Sequence, residues 1–135
     1  MTAFLDTSVV VRYITGEPST LAADARSLIE DSDKVLTLLP VVLAETAFVL
    51  MSRYLMRRAE VVDALADFVN RENIEVEGLP ADLVVEALAL VRPSGRVSIP
   101  DALVWAAARA AGRETVVYSL DRRFPSEEID LRHPA

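Results

Sequence analysis

Short β-branched runs alternate with longer stretches of helical periodicity along the whole chain, and that alternation is the signature of a parallel sheet wrapped by helices. A first strand at about 3–5 leads into VVVRYIT, a short helix stopped by Gly16 and Pro18. Ser19 is placed to cap the next helix, LAADARSLIED, in which Leu21, Ala22, Ala25, Leu28 and Ile29 share one face. VLTL at 35–38 is a second strand, followed by a helix from Pro40 to about Tyr54 and another at 59–70. IEV at 74–76 is a weak third strand; ADLVVEALALV after Pro80 is a helix, and RPSGR a loop. IPDALVWAAARAAG is the clearest helix, with Pro100 near its start and Gly112 as its stop. TVVYS is a fourth strand, and IDL at 129–131 a short fifth at an edge.

A chain of 135 residues reads as one domain, 1–135, with core enough to fold without staples. It has no cysteine, which removes disulfides, thiolate catalysis and cysteine-based zinc sites. The only histidine is His133 in the tail, so Ser-His-Asp chemistry has nothing to draw on. No basic leader precedes an apolar core, and the longest apolar stretch, PVVLAETAFVLM, is interrupted by Glu45 and falls short of the ~20 residues of a membrane span. The expectation is a cytoplasmic protein without a membrane segment. Hydrophobic residues make up 52% of the chain, which points to apolar surface covered by another chain. A net charge of −7 argues against broad attraction to nucleic acid, so any RNA reading must find its cations locally.

Four acids fall at or near the edge where parallel strands end and helices begin, the edge at which such sheets bind ligands. Asp6 closes the first strand, Asp121 follows the fourth, Asp101 lies in the first turn of the helix leading to that strand, and Glu45 stands in the second turn of the helix after strand two. Each has a local explanation. Asp6 serves as a helix cap, Asp101 meets the positive end of a helix dipole, and Asp121 is a turn residue beside Arg122 and Arg123. Glu45 sits among Val41, Val42, Leu43, Ala44, Ala47 and Phe48 on a helix apolar nearly all round, where a buried charge must be paired with arginine, protonated or bound to a cation. Taken together, converging carboxylates repel one another unless a cation sits between them. An oxygen-only site suits Mg²⁺, with Mn²⁺ as its substitute.

The FLDTS start, the glutamate of LAET, the IPDALVWAAA helix and YSLDRRF after a late strand resemble the PIN-domain ribonucleases, and length and order resemble the VapC-like toxins of toxin–antitoxin pairs. The resemblance implies a three-layer α/β fold with a parallel sheet of five strands in the order 3-2-1-4-5 and helices on both faces. That order sets Asp6 and Asp121 side by side at its switch point. The resemblance also implies Asp6, Glu45, Asp101 and Asp121 as the acidic quartet and Ser8 and Ser119 as hydroxyls beside it. Where relatives carry T-x-D-x-D-F, this chain has Ser119 and Arg123, which makes Asp121 the least secure of the metal contacts, direct or through water. The implied activity is an endoribonuclease in which Asp6 and Asp101 hold Mg²⁺ directly and Glu45 and Asp121 complete the site or hold a second ion. The implied partners are RNA, a cognate antitoxin and a second copy of the chain, with the first two helices and the one around Met51 and Met56 as contact surfaces.

Thirteen of the fourteen basic residues are arginines. Arg92 and Arg96 precede Asp101, and Arg122 and Arg123 adjoin Asp121; these are the candidates for RNA phosphate, each weighed against a plain solvent-facing arginine. Arg53, Arg57 and Arg58 form another basic group of the same standing. Two rival readings stand beside the nuclease. A phosphatase lacks support, since D-T-S replaces D-x-D at Asp6, Lys34 precedes strand two, and no glycine-rich phosphate loop occurs. A non-catalytic scaffold that binds a partner or RNA is the other.

Overall fold

The computed structural model describes residues 2–134. Three short parallel strands form the larger sheet, β1 (Ala3–Phe4), β2 (Leu36–Leu38) and β3 (Ile74–Val76), with β2 in the middle. β2 is buried throughout, Thr37 included, as an inner parallel strand covered on both faces should be. Helices α1 (Thr7–Thr15) and α2 (Ser19–Asp31) connect β1 to β2; α3 (Pro40–Ser52) and α4 (Arg58–Val69) connect β2 to β3. Next come α5 (Ala81–Val91) and α6 (Ile99–Ala111), then β4 (Val116–Tyr118) and β5 (Asp130–Arg132), which pair in parallel as a second sheet.

Local chemistry sets these boundaries. Gly16 takes the left-handed conformation at φ 72° and returns its N–H to the Arg12 carbonyl, which ends α1. Pro40 opens α3, and Glu60 accepts the Arg57 N–H at 3.4 Å to steady the head of α4. Ser98 caps α6 by accepting the Asp101 N–H at 3.1 Å. The cap expected of Ser19 is not made: Ser19 is the first helical residue of α2, and Pro18 stands at the cap with no side chain to offer.

The expected single sheet in the order 3-2-1-4-5 is corrected by the structure. The order 3-2-1 holds and β4 pairs with β5, but among the described residues no ladder joins β1 to β4, which leaves sheets of three and two strands there. Shortness is not the reason, since the two-residue β1 pairs in parallel with β2 and the three-residue β4 with β5. Side chains attach the second sheet instead: Trp105 of α6 donates its indole N–H to the Glu127 carbonyl at 2.8 Å. Arg109 stands between Glu86 of α5 and Glu128 at 3.3 and 3.0 Å.

The core runs between the larger sheet and the helices, with Leu36 and Leu38 from β2, Leu43 and Leu50 from α3, Leu65 from α4 and Leu88 from α5 almost fully buried. Truncating any of these leucines to alanine would cost about 2–5 kcal/mol. No helix among the described residues is long and apolar enough to cross a membrane.

Candidate active site

The carboxyl edge of the larger sheet is built by two backbone bonds beyond the strands proper: Leu5 donates to the Thr37 carbonyl and Glu77 to the Leu38 carbonyl, both at 2.8 Å. Asp6 and Leu39 therefore follow directly on paired strand ends, and α1 and α3 start from the same edge. Asp6 is exposed and caps α1. Its Oδ2 accepts the Ser8 hydroxyl at 2.7 Å and the Ser8 N–H at 3.2 Å. The Ser8 hydroxyl, then the Ser8 N–H, hold the Asp6 carboxyl below the ordinary carboxylate value, so it is an anion at neutral pH. The cap reading and the metal reading of Asp6 are thus compatible, since Oδ1 is left for another guest.

Glu45 lies about 8 Å along the axis from the head of α3. It is exposed, which removes the cost of burial that its apolar neighbours suggested. α3 buries Leu43, Thr46, Ala47 and Leu50 on one side. Val41, Glu45 and Phe48, at i, i+4 and i+7, lie on the other, with Val41 and Phe48 exposed to 65% and 69%. Asp101 is the third residue of α6 and half-buried, and α3 packs on both α1 and α6. Among the described residues no hydrogen bond or ion pair engages the carboxylate of Glu45 or of Asp101.

Asp121 is differently placed. Its N–H donates to the Ser119 hydroxyl at 3.0 Å, and its Oδ1 accepts the Arg123 N–H at 2.8 Å and the Arg123 guanidinium at 3.4 Å. The Arg123 N–H is the main reason its carboxyl is held below the ordinary value. The turn explanation for Asp121 is therefore part of its structure, and with β1 and β4 unpaired the sheet does not set Asp121 beside Asp6.

Among the described residues, no three acidic or histidine side chains come close enough to share one metal ion. The donor chemistry nevertheless fits a hard cation. Every candidate ligand is an oxygen, two of the carboxylates are unengaged, and Mg²⁺ commonly takes only one or two carboxylates with water as the rest.

The phosphate candidates divide. Arg92 is spent on a bidentate pair with Asp63 of α4, Nε and Nη2 at 2.9 and 3.0 Å, and Arg123 on Asp121. Arg96 and Arg122 have no carboxylate partner among the described residues. Sequence reading did not reveal that Arg58 lies against Gly95 of the loop that carries Arg96; the glycine of RPSGR was the available signal.

No curated protein matches the sequence. A family model described as PIN domain matches residues 3–127, from the first strand through the segment after Asp121. That span takes in the three parallel strands, the six helices and all four acids, and the chain belongs to the PIN-domain family.

Proposed function

We propose that this protein is a Mg²⁺-dependent endoribonuclease and the toxin of a toxin–antitoxin pair, acting in the cytoplasm. PIN domains are in general metal-dependent nucleases that act on RNA. The observation that carries the finer reading is the state of the acids: Asp6 gives only Oδ2 to Ser8, while Glu45 in the second turn of α3 and Asp101 at the head of α6 have carboxylates free of protein partners among the described residues. The head of a helix already favours Asp101 through its dipole, and a carboxylate without a protein partner is also open to a cation.

In this reading Asp6 and Asp101 hold Mg²⁺, with Mn²⁺ as substitute, and Glu45 and Asp121 complete the set. When bound, the ion supplies an activated water and neutralises charge developing on the phosphate. Ser8 fixes the rotamer of Asp6, and Ser119 with the Arg123 N–H fixes the turn that carries Asp121. Arg96 and Arg122 are free to receive phosphate oxygens. An antitoxin would lie in the groove of about 410 Å³ between α1 and α2, lined by Val9, Leu21, Ala25 and Leu28 together with Ser8, Arg12 and Asp24. A second copy would cover the exposed face of α3 beyond Glu45, around Phe48 and on toward Leu55.

The test incubates purified protein with single-stranded and structured RNA in Mg²⁺ or Mn²⁺, in EDTA, and after Asp101→Asn. Cleavage that needs the ion and is lost in the variant is expected; cleavage that survives Asp101→Asn ends the proposal. The second reading, a non-catalytic scaffold, is favoured by one observation, the lack of three gathered metal-ligating side chains among the described residues. It requires that purified protein bind RNA or a partner and leave RNA intact under every metal condition.

A further inference from the structure

Where α4 begins, the loop between α5 and α6 passes against it, and Arg58 lies on that loop. Arg92, at the end of α5, reaches Asp63 on α4 with both arms of its fork. That pair ties α5 to α4 and sets the course of the loop that follows, residues 93–97. Arg58, first residue of α4, then lies on Gly95: a Cβ at position 95 would stand 3.1 Å from an Arg58 Nη. The backbone at Gly95 is not left-handed, so conformation does not demand glycine there. The close approach of the guanidinium is what a side chain would disturb.

Arg96 is the next residue, exposed, and neither it nor Arg58 has a carboxylate partner among the described residues. Arg57 adds a third cation, held only by a 3.9 Å contact to Glu60 with its side chain 89% exposed. In a chain with 21 acids and 14 basic residues, adjacent arginines free of carboxylates stand out against the overall charge. Loop 93–97 leads straight into Ser98, the cap of α6, and so to Asp101.

The geometry points to Arg58, whose guanidinium lies on Gly95, and Arg96, the next residue of the loop, as a phosphate-holding rim that takes the backbone of single-stranded RNA next to the head of α6. This inference rests on the nuclease reading and names how its substrate is held. The planar forks of arginine suit phosphate oxygens, and two of them on one exposed loop and helix head suit a flexible strand more than a folded acidic protein, whose carboxylates would have to come to fixed positions. It also answers the charge problem: an acidic chain needs only a local basic strip to hold RNA.

The test measures anisotropy of a fluorescein-labelled single-stranded RNA of mixed sequence in EDTA, over a series of salt concentrations, and initial cleavage rates in Mn²⁺. The proteins are wild type, Arg58→Ala, Arg96→Ala, the double variant, Gly95→Ala, and Arg113→Ala as a surface control. Arg58→Ala and Arg96→Ala should each weaken RNA binding about 3- to 10-fold and lower the slope of log K against log salt by about 0.7. KM should rise in both while kcat holds. Gly95→Ala, which keeps every charge and only displaces the Arg58 guanidinium, should weaken binding in the same direction; Arg113→Ala should not. If wild type binds and cuts RNA while the rim variants show an unchanged slope and KM, with at most a lower melting temperature, the inference is overturned and the nuclease reading stands. Binding through the rim without cutting would overturn the nuclease reading and keep the inference. Binding of poly-glutamate in place of RNA, or of neither, would overturn the rim as an RNA site.

Discussion

Asp6 serves the fold and the proposed chemistry with different oxygens. Its cap function needs a hydrogen-bond acceptor for Ser8, which asparagine also supplies; its role toward a cation needs the charge, which asparagine lacks. Asp6→Asn should therefore unfold near the wild-type temperature in EDTA while its metal-dependent cleavage falls on the order of 100-fold, and Asp6→Ala should lose both. Acid adds a second signature. The folded carboxyl titrates below its ordinary 3.8, so its contribution to stability is full above that value and is lost as pH falls through the lower folded value. Thermal melts in EDTA should show wild type and Asp6→Ala furthest apart above about pH 4 and converging below it. Thr46, beside Glu45 in sequence, is a separate case. It is fully buried, and among the described residues its hydroxyl has no hydrogen-bond partner. Thr46→Val keeps the shape and removes the stranded hydroxyl, so urea denaturation should find it more stable by about 1 kcal/mol. A loss of stability would mean that the hydroxyl is bonded after all.

At the scale of elements, most of the six helices were legible because proline and glycine punctuate them: Gly16, Pro40, Pro80, Pro100 and Gly112 lie within a residue of observed ends. The strands were legible as β-branched runs, but their pairing was not, since two or three residues carry no pattern that says which neighbour they choose. The same limit applied to α3. With apolar residues on both faces, periodicity could not tell that Glu45 faces outward, whereas the acids at helix heads were found because caps mark the heads. Which arginines are free was also hidden, because the partners that spend Arg92 and Arg123 are chosen by tertiary or turn geometry. The outward face of α3, with Val41 and Phe48 and continuing toward Leu55 at 81% exposure, is the best support for a second copy. Phe48→Lys should leave stability within about 0.5 kcal/mol, as exposed substitutions do. In sedimentation at micromolar concentration it should shift a wild-type dimer to monomer. A monomeric wild type would sink the homodimer.

Across the whole molecule the net charge of −7 means that any added salt relieves self-repulsion, so a rise in melting temperature with a divalent ion is not by itself evidence of a site. Specific binding separates from screening by its saturation and its dependence on particular carboxylates. At a concentration 100 times Kd, one ion bound only by the folded state adds about 2.7 kcal/mol, or roughly 10 °C for a domain of this size. Mn²⁺ should therefore raise the melting temperature of wild type along a saturating curve, well above NaCl at equal ionic strength. A double variant, Asp6→Asn with Asp101→Asn, should follow the NaCl curve in both salts. Because asparagine at position 6 retains the cap, a fall in the starting temperature does not confound the comparison. Equal gains for wild type and double variant would show that Mn²⁺ acts on the surface as a whole, and the protein would then be read as a PIN scaffold that holds its ligands without cutting them.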